Sequence, residues 1–126
     1  MARPTPDTLE TVAARLDATP VAEFAQWSRD GAALPHPIYA PIEGEWRDLV
    51  GAFGAPRPSA VYDAILKNEM PAPTTESIAA ADHEHLVGYV TFIIRGERFC
   101  DGHIAGAQEG GLLSGILRRF AALDRL

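Results

Sequence analysis

Apolar side chains recur along this chain at intervals of three and four residues, which is the spacing of one face of an α-helix. The first such segment follows Thr5-Pro6, where a hydroxyl cap precedes a proline at the first helical position. Thr19-Pro20 repeats this start signal. It predicts a second helix that runs from Val21 past Trp27 and ends at Gly31.

Prolines interrupt the helical pattern between residues 31 and 42. Proline lacks an amide hydrogen and restricts the residue before it, so this segment is predicted to be extended. It is expected to cross the surface as a short edge strand or as a loop.

Three further helical segments are predicted before residue 82. The third helix carries Trp46 and ends at Gly54, and Ser59 can cap the fourth. The prolines of residues 71–73 break the fourth helix. A short helical turn then begins after Thr74 or Thr75.

The most apolar segment follows Asp82, which is suited to cap a helix. Its side chains from Leu86 to Ile94 are apolar around nearly the whole circumference, which is typical of a helix buried on all sides. A buried strand is the competing interpretation, and the length favours the helix. Asp101 is predicted to cap a short helix, and Gly110-Gly111 separates it from an amphipathic last helix.

These patterns predict an all-α fold, an irregular bundle of about six or seven helices with one proline-rich extended crossing segment. The length fits a single helical domain over residues 1–126, with residues 1–4 expected to be flexible. The predicted core consists of Leu9, Val12, Leu16, Phe24, Trp46, Val50, Phe53, Ile65, Val87, Val90, Ile94, Ile104, Leu113, Ile116, Leu117 and Phe120.

Charge and composition narrow the class of protein. The formal net charge is −6, and residues 1–80 carry most of it. No basic stripe exists, so no nucleic-acid partner is expected, while an acidic surface is compatible with a basic protein partner. The longest apolar stretch is too short to cross a bilayer. A single cysteine and the absence of a signal peptide indicate the cytoplasm.

Candidate chemistry concentrates in residues 95–103, Arg-Gly-Glu-Arg-Phe-Cys-Asp-Gly-His. Arg95 and Arg98 are three residues apart and would share a helix face, where two guanidinium groups could bind an anion together with Glu97. Asp101 could orient His103 as a general base.

A structural role is the alternative for the same segment. Asp101 would then be an ordinary N-cap, and Glu97 and Asp101 would pair with Arg95 and Arg98 to join two helices. Cys100 has a base and a helix start nearby in sequence, as a nucleophile requires, but it is interpreted as a small core residue.

The histidines do not have the spacing of a metal site. His83 and His85 point to different helix faces, and the position four residues after His83 is Val87. A site built from His103, Cys100 and a carboxylate lacks the usual ligand spacing. No metal and no cofactor are expected.

The segment from residue 95 to 103, with Ala105, Ala107, Gly110 and a basic Leu/Ile-rich last helix after it, resembles an uncharacterised bacterial family. This family is catalogued as domain of unknown function 6508. The resemblance implies no activity. It implies that Arg95, Glu97, Arg98, Asp101, Gly102 and His103 belong to the family's signature.

Three hypotheses for the function remain open. The first is a small non-enzymatic binding or regulatory module, with a contact surface between Leu34 and Trp46. The second is a cofactor-free enzyme with His103 as general base and Arg95 or Arg98 holding an anionic substrate. The third is an acidic inhibitor of a basic protein. The sequence does not determine the oligomeric state.

Overall fold

A computed structural model describes residues 3–28 and 35–126. These residues form eight α-helices and one two-stranded antiparallel sheet, which confirms the mainly helical fold and exceeds the expected number of helices. In chain order the elements are α1 (Pro6–Asp17), α2 (Val21–Phe24), β1 (Ala25–Ser28), β2 (His36–Tyr39), α3 (Pro41–Gly51), α4 (Ala60–Leu66), α5 (Thr75–Ala79), α6 (His83–Gly96), α7 (His103–Glu109) and α8 (Leu112–Asp124).

Four of the predicted helix starts are confirmed by their caps. The side chains of Thr5, Ser59, Thr74 and Asp82 each accept a hydrogen bond from the backbone N–H three residues later. Such a bond satisfies one of the amides that a helix leaves unpaired at its start, so these local signals place α1, α4, α5 and α6 correctly.

The prediction for the second helix is wrong beyond Phe24. Ala25–Ser28 is a strand that pairs with His36–Tyr39, and Trp27 lies opposite Pro37. Ala40 N–H extends the pairing by donating to the carbonyl of Phe24. Tertiary pairing therefore overrides the local helical pattern. The extended proline segment is confirmed at His36–Tyr39, and the expected helix end at Gly31 lies outside the described residues.

Helices α6 and α8 occupy the centre of the bundle. Helix α8 packs against α1, α3, α5, α6 and α7, and α6 packs against α4, α5, α7 and α8. Fifteen of the sixteen predicted core side chains are buried; Ile94 is half-buried at the end of α6. Trp46 is fully buried and donates its indole N–H to the carbonyl of Leu113. No described helix combines the length and apolarity needed to span a membrane.

Close contact between α4 and α6 depends on Gly88. A Cβ atom at this position would lie 2.5 Å from Cγ1 of Val61 and 3.3 Å from the backbone nitrogen of Tyr62. Gly106 and Gly115 lie in helices without such close contacts, since Gly106 has open space beside it and Gly115 only an ordinary contact with Ile78.

Replacing Gly88 with alanine is expected to destabilise the fold by about 1–3 kcal/mol, because the added methyl group overpacks the α4–α6 contact. The matched control is Gly44→Ala in α3, where no neighbouring atom lies within 4 Å of the new Cβ. The control should be neutral or stabilise by up to about 1 kcal/mol through helix propensity. Urea denaturation of both variants measures the difference, and equal midpoints would show that α4 can move away without cost.

Candidate functional site

The carboxylate of Glu97 lies where the sheet, α6 and α7 meet. Its Oε1 accepts hydrogen bonds from the hydroxyl of Tyr39 at 2.7 Å and from the N–H of Ile104 at 2.9 Å. Its Oε2 accepts the N–H of Gly102 at 2.8 Å. One half-buried side chain therefore connects β2 and the first turn of α7 to the end of α6.

Glu97 takes the capping role that the sequence assigned to Asp101. Helix α7 begins at His103 after Gly102, which has a φ of 89° and offers no side chain to cap the helix. Gly102, not Asp101, is the N-cap residue, so the prediction of Asp101 as N-cap is wrong. The indole of Trp27 lies against Gly102, where a Cβ atom would come within 2.8 Å of it. Positive φ and this close contact both favour glycine at position 102.

The electrostatics of the junction favour an ionised Glu97. Burial opposes ionisation, but the N–H groups of Ile104 and Gly102 and the hydroxyl of Tyr39 outweigh it and lower the pKa of Glu97. Burial and the adjacent carboxylate of Glu97 raise the pKa of Tyr39. Tyr39 therefore remains a proton donor to the carboxylate at neutral pH.

The predicted ion pairs of the segment do not form. Within the described residues, Arg95 and Arg98 make no salt bridge with Glu97 or Asp101. Helix α6 ends at Gly96, so the two arginines do not share a helix face. The guanidinium carbon of Arg95 lies 5.2 Å from the ring centre of Tyr62, whereas Arg98 is exposed in the turn that follows the helix.

Cys100 is exposed, so its interpretation as a core residue is wrong. The preceding aromatic side chain, Phe99, is also outside the core, with 85% of its surface exposed. Both residues lie in the turn between α6 and α7.

His103 is fixed through one ring nitrogen. Nδ1 lies 2.9 Å from the carbonyl oxygen of Ile93, and a carbonyl only accepts, so Nδ1 carries the proton. Gly96 leaves room for the ring, and Phe92 meets it edge-on with 5.1 Å between ring centres. Asp101 makes no hydrogen bond with His103 among the described contacts. The Ile93 carbonyl therefore orients the ring of His103, which is the role expected of Asp101.

The second ring nitrogen of His103 faces accessible space. Nε2 forms no hydrogen bond with a described residue, and every fully buried polar side-chain atom of these residues has a partner. His103 lines an open cleft of about 470 Å³. The remaining walls of this His103 cleft are Ala72, Pro73, Phe92, Ile93, Cys100, Gly102, Gly106, Ala107 and Leu112.

Metal-binding side chains do not converge in the parts of the chain that are described; no group of three His, Cys, Asp or Glu residues there could hold an ion. His85 bonds Asp82, and His83 packs against the stacked rings of Phe53 and Phe120. Both histidines are half-buried in the first turn of α6.

Sequence reasoning missed two features of the site. Tyr39 lies in the predicted extended segment, and no local pattern connects it with Glu97, which is 58 residues away. The wall formed by Ala72 and Pro73 had been interpreted as a helix-breaking loop. Both features arise from tertiary contacts between distant segments.

Fold and site together define a small helical domain organised around a half-buried carboxylate, with an open cleft beside it. The chain belongs to the family of unknown function DUF6508, whose family model matches residues 26–125. That range includes all of the sheet except Ala25, the Glu97 junction and the His103 cleft. No curated protein and no solved structure matches the chain.

Replacing Glu97 with glutamine is expected to destabilise the fold by about 1–3 kcal/mol, since it weakens charge-assisted hydrogen bonds to three donors. The folded-state pKa of Glu97 is lowered, so its contribution is present above the ordinary value near 4.5 and is lost as the pH falls through the folded-state value. The wild type should therefore lose more stability than Glu97→Gln between about pH 7 and about pH 3.

Denaturation curves at several pH values measure this difference. Tyr39→Phe is the matched control, because it removes one of the three donors and keeps the charge; it should cost less than Glu97→Gln and keep the acid-dependent loss. Parallel pH profiles for the wild type and Glu97→Gln would show that the carboxylate is not stabilised by these donors.

Proposed function

We propose that this protein is a non-enzymatic binding module whose His103 cleft takes a small, largely apolar molecule carrying one hydrogen-bond donor. The observation that carries the proposal is the hydrogen bond from Nδ1 of His103 to the carbonyl of Ile93. This bond fixes the tautomer of neutral His103, so Nε2 meets the cleft as an acceptor.

The walls of the cleft support the same ligand chemistry. They consist of aliphatic side chains, glycines and the edge of Phe92, with His103 and the thiol of Cys100 as the polar groups. A cleft with apolar walls and few polar groups is typical of small-molecule sites, and its volume of about 470 Å³ suits a small ring system. The exposed free thiol supports a reducing compartment, such as the cytoplasm.

General-base catalysis by His103 is the second candidate, favoured by the same acceptor nitrogen. The Ile93 carbonyl would orient the ring, and Nε2 would remove a proton from a bound substrate. This candidate is less well supported, because neither Arg95 nor Arg98 is among the residues that line the cleft. An anionic substrate would lack the predicted guanidinium partner there.

The third hypothesis, an acidic inhibitor of a basic protein, has less support than the binding module or the enzyme. Several acidic side chains of the N-terminal half are paired with arginines, as in Arg15–Glu45, Arg47–Glu43 and Arg118–Asp17. These pairs spread over α1, α3 and α8 and reduce the negative charge that a broad basic surface would meet.

Titration with phenol, indole and toluene tests the binding proposal. Phenol and indole carry a donor for Nε2, whereas toluene has a similar apolar body and no donor. We expect phenol to bind about fivefold more tightly than toluene, since one hydrogen bond contributes about 1 kcal/mol. Amide shifts of Gly102, His103 and Ala107 in ¹⁵N-labelled protein report occupancy, and the ¹⁵N shifts of the His103 ring report the tautomer.

The variant His103→Ala should abolish the preference for phenol over toluene. His85→Ala is the control, because His85 is also half-buried on its own hydrogen bond but lies at the start of α6, away from the cleft. Equal affinity for phenol and toluene in the wild type, or a preference that survives His103→Ala, would contradict the proposal.

A further inference from the structure

A second open groove lies beside α7, next to the His103 cleft, with which it shares Gly102 and Gly106. One part of it, about 380 Å³, lies between α2, β1 and α7 and has the indole of Trp27 as a wall. The other part, about 280 Å³, reaches the end of α1 at Asp17. The two parts share Val21 and Glu109, so they adjoin each other, and together they are called the α2–α7 groove.

The floor of this groove consists of small or apolar side chains, which leave an open channel. It includes Ala22, Ala25, Ala105 and Gly106, and no atom lies within 4 Å of where a side chain at Gly106 would begin. Trp27 is 47% exposed beside this floor, although tryptophan is usually well buried. Exposed tryptophan in a groove is typical of an anchor for a binding partner.

Gln108 presents an unused acceptor to the groove. Its side chain is buried, with 9% of its surface exposed, and its Nε2 donates to the carbonyls of Leu16 and Thr19 at 2.8 and 3.1 Å. These two bonds assign the amide orientation and leave Oε1 without a partner among the described residues. Because no fully buried polar atom there is unpaired, Oε1 keeps some exposure to solvent, and Gln108 is one of the residues that line the groove.

The charges of the groove have one sign. Its charged lining residues are Glu109 and Asp17, and no basic side chain lines either part. Asp17 is paired with Arg118, whereas Glu109 makes no ion pair within the described residues. Helices α1 and α7 both end here, so the negative ends of their dipoles add to the carboxylate charge. A cation is the ligand that this environment favours.

We infer that the α2–α7 groove binds an extended segment of a partner protein through arginine side chains. A guanidinium group stacks on the exposed face of Trp27, as cations do on indole rings. Its N–H groups can donate to the carboxylate of Glu109, which lines both parts of the groove, and a second guanidinium in the other part can donate to Oε1 of Gln108. In an extended peptide, alternate side chains point to the same side, so two arginines separated by one residue can enter the two parts of the groove.

The probe is a blocked peptide, Ala-Arg-Ala-Arg-Ala, compared with the peptide in which citrulline replaces both arginines. Citrulline keeps the shape of arginine and removes its charge. Calorimetric titration of the full chain should detect the arginine peptide, with weaker binding at high salt, and at least about tenfold weaker binding of the citrulline peptide. The emission of Trp27 should change as well, since Trp46 is fully buried.

Two pairs of variants distinguish binding of the peptide in the groove from non-specific attraction of the peptide to an acidic protein. Glu109→Gln should weaken binding at least about tenfold, whereas Glu84→Gln makes the same change at an exposed position on α6 and should leave binding unchanged. Val21→Lys should abolish binding, whereas Leu66→Lys places the same charge at an exposed apolar position on α4. Melting temperatures show that each variant is folded.

Three results would overturn the inference: equal binding of the citrulline peptide, equal effects within either pair of variants, or binding of spermine as tight as that of the arginine peptide. The last result would show attraction of any polycation. His103→Ala should leave peptide binding unchanged, because His103 is not among the residues that line the α2–α7 groove. This proposal therefore stands or falls independently of the His103 cleft.

Discussion

The hydrogen bonds to Glu97 are the interaction on which the arrangement of the site depends. A half-buried carboxylate is stable only where donors replace the water that it has lost. Tyr39 on β2 and the first amides of α7 supply them, so the sheet and α7 must lie against the end of α6. Because these donors are uncharged, the carboxylate needs no arginine, and Arg95 and Arg98 are left outside the junction.

Helix α7 borders two depressions of different chemistry. His103 lines one of them among mainly apolar walls, whereas the other is lined by Glu109, by Trp27 in one part and by Gln108 in the other. Gly102 and Gly106 line both, and the absence of side chains at these positions leaves each depression open. The hydrogen bonds to Glu97 fix the start of this short helix. The shapes of both depressions therefore depend on the same junction.

Local signals predicted most of the helices correctly because a cap and an apolar stripe act within a few residues. Ser59 and Asp82 show this, since each satisfies an amide three positions later regardless of the rest of the chain. The same reasoning failed at Asp101. A nearby aspartate looked like the natural cap of α7, but Glu97 bonds the same turn from the end of α6. It also failed at Ala25–Ser28, where pairing with β2 decides the conformation.

By itself, the sequence determined the helical class and nearly all of the core, because the spacing of apolar residues acts over short distances. It also determined four helix starts, because a cap bonds an amide only three residues away; these starts are at Thr5, Ser59, Thr74 and Asp82. It also located the segment that carries the site. Tertiary structure alone decided that Glu97 is a junction, that Cys100 is exposed and that His103 lines a cleft. These outcomes depend on which distant backbone groups and side chains come together, and no short-range pattern encodes that.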